Sequence, residues 1–148
     1  MLLSLRADCI CRLYNIAMQD SIFTKIVKGE IPCNKVYEDD KILAFLDINP
    51  KTDGHTLIIP KKQVEFIWDL DEETYLALMM VVKKVGVRIR EVMDMPYVGQ
   101  AVLGIEVPHV HVHVFPFSTL EEYNRQPDKL IKPDFQGLNE VAKKLEFK

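Results

Sequence analysis

The sequence predicts an α+β domain built on a five-stranded, mainly antiparallel sheet with one short and one long helix. Three observations carry this. Short apolar runs bounded by turn formers lie on both sides of one long proline-free stretch, residues 72–93. That stretch has a helical period. A further run, "HVHVHVF" at residues 109–115, alternates strictly, which fits the two-residue repeat of a strand and no helix.

In chain order, Ser21 is placed to cap a short helix reaching Lys28, with Gly29 as its stop and Pro32 just beyond. "KVYED" (35–39) reads as the first strand, Asp39-Asp40 as a turn and "KILAFLDI" (41–48) as the second strand. "NPKTDG" (49–54) is dense in turn formers and leads into "HTLIIP" (55–60), the third strand. Asp69 or Asp71 caps the long helix, which runs from Glu72 to about Met93. Its apolar stripe reads as Tyr75, Met79, Val82, Gly86, Ile89 and Val92 or Met93, with Lys83, Lys84, Arg88 and Arg90 largely off it. Pro96 ends this helix. "YVGQAVLG" (97–104) is the fourth strand, and the histidine run, bracketed by Pro108 and Pro116, is the fifth. The organisation expected is an N-terminal extension over 1–17, a domain over 18–117, and a polar tail over 118–148 with a terminal helix near Leu138 to Leu145.

Composition narrows the function classes. The 148 residues fit one domain, and 48% apolar with 28% charged residues is ordinary for a globular protein. A net charge of −3 offers no basic surface for nucleic acid. No apolar run reaches the ~18 residues of a membrane helix. Arg6 and Asp8 interrupt the apolar start, which does not fit a signal peptide. Three cysteines, Cys9, Cys11 and Cys33, are an odd set with two too close to bridge easily. They fit a reduced, cytoplasmic protein. Neither nucleic acid nor membrane is an expected partner.

On a strand, His109, His111 and His113 share one face, spread over about 13 Å, while Val110, Val112 and Val114 turn to the core. Three explanations compete. A structural patch must find partners for every buried ring nitrogen. A zinc site could recruit His55 as a fourth ligand, but carboxylates or thiolates at ligand spacing are missing. In phosphate chemistry, one imidazole attacks phosphorus while a neighbour protonates the leaving group or binds phosphoryl oxygens. The last uses every histidine in the row and is favoured on physical grounds.

The run "HVHVHVF", together with "SIFTKIVKGEIPCNKVYEDDKILAFLDINPKTDGHTLIIPKK" at 21–62, resembles the histidine triad (HIT) superfamily, and its Hint-type branch in particular. The likeness spans about residues 20–117. It implies that His111 is the nucleophile and forms a transient nucleotidyl-histidine. It puts His113 beside the phosphate and leaving group, and His109 and His55 in a supporting hydrogen-bond shell. All four histidines of the chain fall at these positions. Asp47 of "LDI" takes the place of the carboxylate that holds the ribose hydroxyls. Phe23, Ile26, Phe45, Ile48 and Leu57 match positions lining the base pocket, and Gly104 matches a glycine where backbone approaches the phosphate. The resemblance also implies a HIT-like fold and a homodimer whose two sheets join. The implied activity is hydrolysis of a purine nucleoside monophosphate derivative, an AMP phosphoramidate or an acyl-adenylate, without a cofactor.

The departures are equally specific. Many bacterial relatives build a structural zinc site from C-x-x-C in the first helix, a histidine after "PKK" and the first triad histidine. Here those positions hold Ser21, Thr24 and Gln63, so no metal is expected and His109 is free for hydrogen bonding. Glu106 replaces a small hydroxyl residue three positions ahead of the triad, and the loop before it is short. A carboxylate there repels phosphate unless protonated or turned away, and favours a cationic leaving group. Two alternatives are a dinucleoside polyphosphate hydrolase of the Fhit-like branch, whose glutamine after the glycine is Ile105 here, and a nucleotide-binding scaffold with vestigial turnover.

Overall fold

The structure, a computed structural model, describes residues 19–147; the extension expected at 1–17 lies outside the described residues. Ser21 accepts the Thr24 N–H at 3.0 Å and starts helix α1, Ile22–Val27. Gly29 then takes φ +77°, a turn that only glycine makes without strain, and the chain leaves the helix there. Strands β1 (Lys35–Glu38), β2 (Ile42–Leu46) and β3 (Thr56–Pro60) form an antiparallel meander. Helix α2 spans Glu72–Val92, capped by the Asp71 carboxylate, which accepts the Thr74 N–H at 2.8 Å. Strands β4 (Tyr97–Ala101) and β5 (Val112–Phe117) complete a five-stranded antiparallel sheet in the order β1-β2-β3-β5-β4.

One face of the sheet carries the main core. Ile42, Ala44, Leu46, Ile58, Val110, Val112 and Val114 pack there against Leu78, Val81, Val82, Val85 and Ile89 of α2. The triad valines therefore face the core as their alternation requires. The helix stripe keeps Val82 and Ile89 buried as expected, with Met79, Val92 and Met93 against the core, but it is centred elsewhere. The buried positions follow Leu78 by three, four, seven and eleven residues, whereas Tyr75 stays 38% exposed. The window 75–93 holds two interleaved apolar rows, and only contact with the sheet selects between them.

The tail contributes two helices. Helix α3, Leu120–Asn124, is capped by Thr119, which accepts the Glu122 N–H. Helix α4, Phe135–Leu145, begins earlier than expected because Asp134 caps it through the Gly137 N–H at 3.0 Å. Ala142 and Leu145 are buried with α2 and the sheet, and Arg88 of α2 donates to the Lys144 carbonyl at 2.8 Å. The tail thus closes the helical side of the core. No helix among the described residues is long and apolar enough to cross a membrane.

Fully burying a leucine contributes about 1.5–3 kcal/mol, and truncating one leaves a cavity as well. Leu78→Ala is therefore expected to cost about 2–5 kcal/mol in urea denaturation, and Tyr75→Ala under about 1 kcal/mol. Equal costs would restore the stripe read from the sequence.

Candidate active site

The opposite face of the sheet carries a smaller apolar cluster and the histidines. Phe23 of α1 packs there with Leu43, Phe45, Leu57 and Ile59, and Ile26 joins at the edge. The ladder of β5 starts only at Val112, so His113 alone is in the paired strand, opposite Leu57 and Ala101. His109, in a bend where its N–H donates to the Val107 carbonyl at 2.8 Å, and His111 lie before it, held by the Val110 N–H on the Val64 carbonyl at 2.7 Å. This shortens the strand expected over 109–115. The neighbouring strand β3 ends at Pro60, and the Pro60 carbonyl is taken by the His109 ring instead of a backbone N–H. Pro116, expected to end the run, lies inside β5, opposite Val98, and its carbonyl accepts the Thr52 hydroxyl at 2.5 Å.

Fixed donors and acceptors set every imidazole tautomer. Pro60 offers only a carbonyl, 2.7 Å from His109 Nε2, so that nitrogen carries the proton. His109 Nδ1 then accepts from the Ser21 hydroxyl at 2.8 Å. The carbonyl of His109 lies 2.7 Å from His111 Nδ1, which must donate. In the neutral ring, His111 Nε2 is left bare, with no partner among the described residues. A second chain runs through His55. The Lys51 backbone N–H donates to His55 Nδ1 at 3.1 Å, so His55 Nε2 holds the proton and donates to His113 Nδ1 at 2.9 Å. His113 is thereby protonated on Nε2. A bare nitrogen on His111 and an N–H on His113 sit on rings whose centroids are 5.0 Å apart.

Burial favours the neutral form of His55, His109 and His113. It pushes His55 down to about 3 and His113 to about 4, with the charge of neighbouring rings and Lys51 adding to the effect. Burial also lowers His109, partly opposed by its bond to the Pro60 carbonyl. Asp47 Oδ2 lies 3.7 Å from His55 Nδ1, but that nitrogen already accepts a proton and is uncharged, so the two do not form an ion pair. Burial raises Asp47 above the usual carboxylate range, against the pull of the Asn49 N–H, which donates to its Oδ1 at 2.9 Å. Oδ2 has no hydrogen-bond partner among the described residues.

Phe23 presents its edge to His111 at 5.1 Å and to His109 at 5.9 Å, and meets Phe45 at 5.7 Å. Phe23, Phe45, Leu57 and Ile26 thus form one apolar wall beside the triad. Ile48 stands apart from it, 48% exposed, at a small cavity shared with Leu46, Pro50 and the start of α4. Gly104 takes φ +67° in the loop before the triad, so a side chain there is strained. Glu106 is paired with Lys129 from the segment joining α3 to α4, and this lysine holds the carboxyl below its ordinary range. Lys129 and the Lys51 amide carry no motif in the sequence.

Two clusters bear on metals. Ser21, Thr24, Gln63 and His109 meet, as the resemblance requires of the zinc positions. The Thr24 hydroxyl donates to Gln63 Oε1 at 2.5 Å, and the same oxygen accepts the Ser21 N–H at 3.0 Å. Two hydroxyls and an amide, already satisfied by one another, are not a zinc ligand set. Asp47, His55 and His113 offer ligand atoms within 4.8 Å of one another. The facing nitrogens of the two rings share a proton at 2.9 Å, so an ion there has to displace that hydrogen bond.

Residues 28–120 match the HIT domain. The chain belongs to the HIT domain family. This HIT-domain protein is 41% identical over 103 residues to an adenosine 5′-monophosphoramidase of Schizosaccharomyces pombe, covering 69% of this chain and 77% of the relative. Its fold matches a Hit-like protein of Bartonella henselae involved in cell-cycle regulation. The TM-score is 0.76 at 31% identity, over 85% of this chain and 93% of the other. A zinc-bound histidine triad family protein of Mycobacterium smegmatis matches with TM-score 0.67 at 31% identity, over 84% and 88% of the two chains. With the family comes the general class of nucleotide-binding hydrolase.

Long-range proton–nitrogen NMR checks the tautomers. His55, His109 and His113 are expected with the proton on Nε2 and His111 with it on Nδ1 at pH 7. His55 and His113 keep neutral shifts down to about pH 5. Their folded values lie below the ~6.5 of an unfolded histidine, so the unfolded chain takes up protons first as pH falls. Stability is therefore full above about pH 6.5 and declines toward pH 4, read as a falling urea midpoint. His113 titrating near pH 6.5 would remove the basis for this order.

Proposed function

We propose that this protein is a Hint-like nucleoside phosphoramidase, cleaving AMP phosphoramidates and related acyl-adenylates at the α-phosphorus through a nucleotidyl-histidine on His111. The observation that carries this is the bare Nε2 of His111 beside the N–H of His113. The phosphoramidase named among its relatives supports the same reaction. Ile105, in the place of the glutamine of the Fhit-like branch, weighs against dinucleoside polyphosphates as the main substrates.

In the first half-reaction, the lone pair on His111 Nε2 forms a bond to phosphorus and the P–N bond breaks. The departing nitrogen takes up one proton. In the second, water attacks the phosphorus, the P–N bond to His111 breaks, AMP leaves and one proton is released. The two halves sum to hydrolysis. His111 Nδ1–H stays on the His109 carbonyl throughout and stabilises the cationic ring formed at the intermediate. His113 Nε2–H donates to a phosphoryl oxygen or the leaving atom, so that charge developing there meets a fixed donor. Asp47 Oδ2 accepts from the ribose hydroxyls, and the purine lies against Phe23, Ile26, Phe45 and Leu57. Gly104 lets backbone approach the phosphate. No metal enters this scheme.

The same reading includes a homodimer. Leu76, Met80 and Val87 form an exposed apolar row on the outer side of α2, and the outer edge of β4 has no strand partner among the described residues. A second copy pairing there extends the sheet across both chains.

AMP release from adenosine 5′-phosphoramidate, with EDTA present, tests the chemistry. Full turnover is expected, and His111→Ala is expected to lower kcat/KM at least about 10³-fold while AMP still binds. Asp47→Asn is expected to raise KM roughly tenfold. Turnover that stops in EDTA and returns with zinc moves the reaction to an ion held by Asp47, His55 and His113. AMP binding without turnover makes the protein a nucleotide-binding scaffold. Sedimentation equilibrium is expected to give two chains per particle, and Met80→Glu one; a monomeric unsubstituted protein removes the dimer.

A further inference from the structure

Glu106 lies three residues before His109, in the loop that carries Gly104 into the triad. It is exposed, and so is Lys129, at 67% and 62% of their side chains. Their partnership joins two segments otherwise remote in sequence, the β4–β5 loop and the linker between α3 and α4. The loop lies along the histidine face: Val107, next to Glu106, packs on the cluster of Phe23, Leu43, Phe45, Leu57 and Ile59 beside the triad. A carboxylate in that position is adverse for a phosphate but suited to a cation. What it holds is a primary ammonium on a four-carbon stem. The structure thus contains an example of the group that this loop can receive.

We propose that Glu106 selects the leaving group by accepting a primary ammonium carried on the departing amine, and that Lys129 occupies this acceptor in the free protein. The proposal rests on the hydrolase reading above and specifies its substrate class: monoamidates of diamines or of lysine-like amines. An exposed ion pair is worth little, so Lys129 gives way readily to a substrate whose ammonium is delivered by the bound nucleotide. Bond making and breaking are unchanged. The P–N bond breaks at the near nitrogen, and the far ammonium keeps its proton and its contact with Glu106. The two residues have separate roles. Glu106 gives a preference for cationic over neutral leaving groups, and Lys129 reduces that preference by competition.

The test compares full-length protein on N-(ω-aminoalkyl) adenosine phosphoramidates, from aminoethyl to aminopentyl, with N-alkyl compounds of matched length. The expected ratio of kcat/KM, cationic over neutral, is about fivefold at the best length at low salt, and it shrinks in 0.5 M salt. Glu106→Gln is expected to bring the ratio to about one. Lys129→Ala is expected to raise the ratio about two- to fivefold by quickening the cationic substrates, with the neutral ones unchanged. A ratio that Glu106→Gln does not move overturns the proposal. Lys129→Ala slowing both classes equally also overturns it, because Lys129 then binds substrate phosphate. Neutral substrates turned over without any cationic preference leave the hydrolase reading standing and remove this one. If no amidate is turned over, the hydrolase reading fails, and calorimetric binding of the same paired compounds to the three proteins decides for or against Glu106 as the acceptor.

Discussion

The bond from His111 Nδ1 to the His109 carbonyl, 2.7 Å long, is the contact on which the site depends. An imidazole has two nitrogens of similar basicity, and nothing in the ring itself says which one faces a substrate. A backbone carbonyl can only accept, so it fixes the proton on Nδ1 and leaves Nε2 of the neutral ring with its lone pair free. That carbonyl is itself held still. The His109 ring is tied at one nitrogen to Pro60 and at the other to Ser21, and His109 is fully buried. The His113 tautomer is decided in the same way, starting from the Lys51 amide and passing through His55. Both chains begin on backbone groups that do not titrate, and the His55–His113 chain keeps its arrangement over the range where imidazoles usually switch.

Burial completes what the backbone begins. Three rings packed on one face cannot all carry charge, and removal from water makes the neutral form the stable one for His55 and His113. Neutral donors of this kind offer hydrogen bonds to charge developing on a bound anion. The cations nearby are peripheral. Lys51 lies over the Phe115 ring at 4.9 Å and donates to the Tyr123 carbonyl at 3.2 Å, so its ammonium is engaged beside the site.

What the sequence discloses follows from the range of the forces involved. Ser21, Gly29 and Asp71 are legible because caps and turns are local: a side chain three residues from the N–H it serves needs no tertiary context. The first four strands are legible from short apolar runs and the turns between them, and the fifth from its alternation. The α2 stripe is not, since two apolar rows overlap in one helix and the sheet chooses Leu78 over Tyr75. Helix α3 has a Thr119-x-x-Glu122 signature that is easily passed over in a polar tail. In the site, His109, His111 and His113 stand out by spacing, and Asp47 and His55 by the resemblance alone. Lys129 and the Lys51 amide do not, because a lone lysine and a backbone N–H acquire meaning only once the fold brings them to Glu106 and His55. Ile48 has the residue type of a pocket wall, yet it lies beyond the last paired residue of β2, outside the register that aligns Phe45 with Leu57.

The cluster around Ser21 bears on how the His109 ring is held. A zinc ion on His109 Nδ1 would leave the ring proton on Nε2, facing the Pro60 carbonyl. The Ser21 hydroxyl, donating to the same nitrogen, imposes the same tautomer. Thr24 and Gln63 then tie that hydroxyl's helix to the segment after β3, through Gln63 Oε1, which takes both the Thr24 hydroxyl and the Ser21 N–H. A metal tetrad and a hydroxyl–amide network are therefore interchangeable supports for one ring orientation. They differ in what destabilises them. The network loses no ligand to chelators or to acid, and each of its members is a neutral group whose bonds are made within a few residues of a helix start or a strand end.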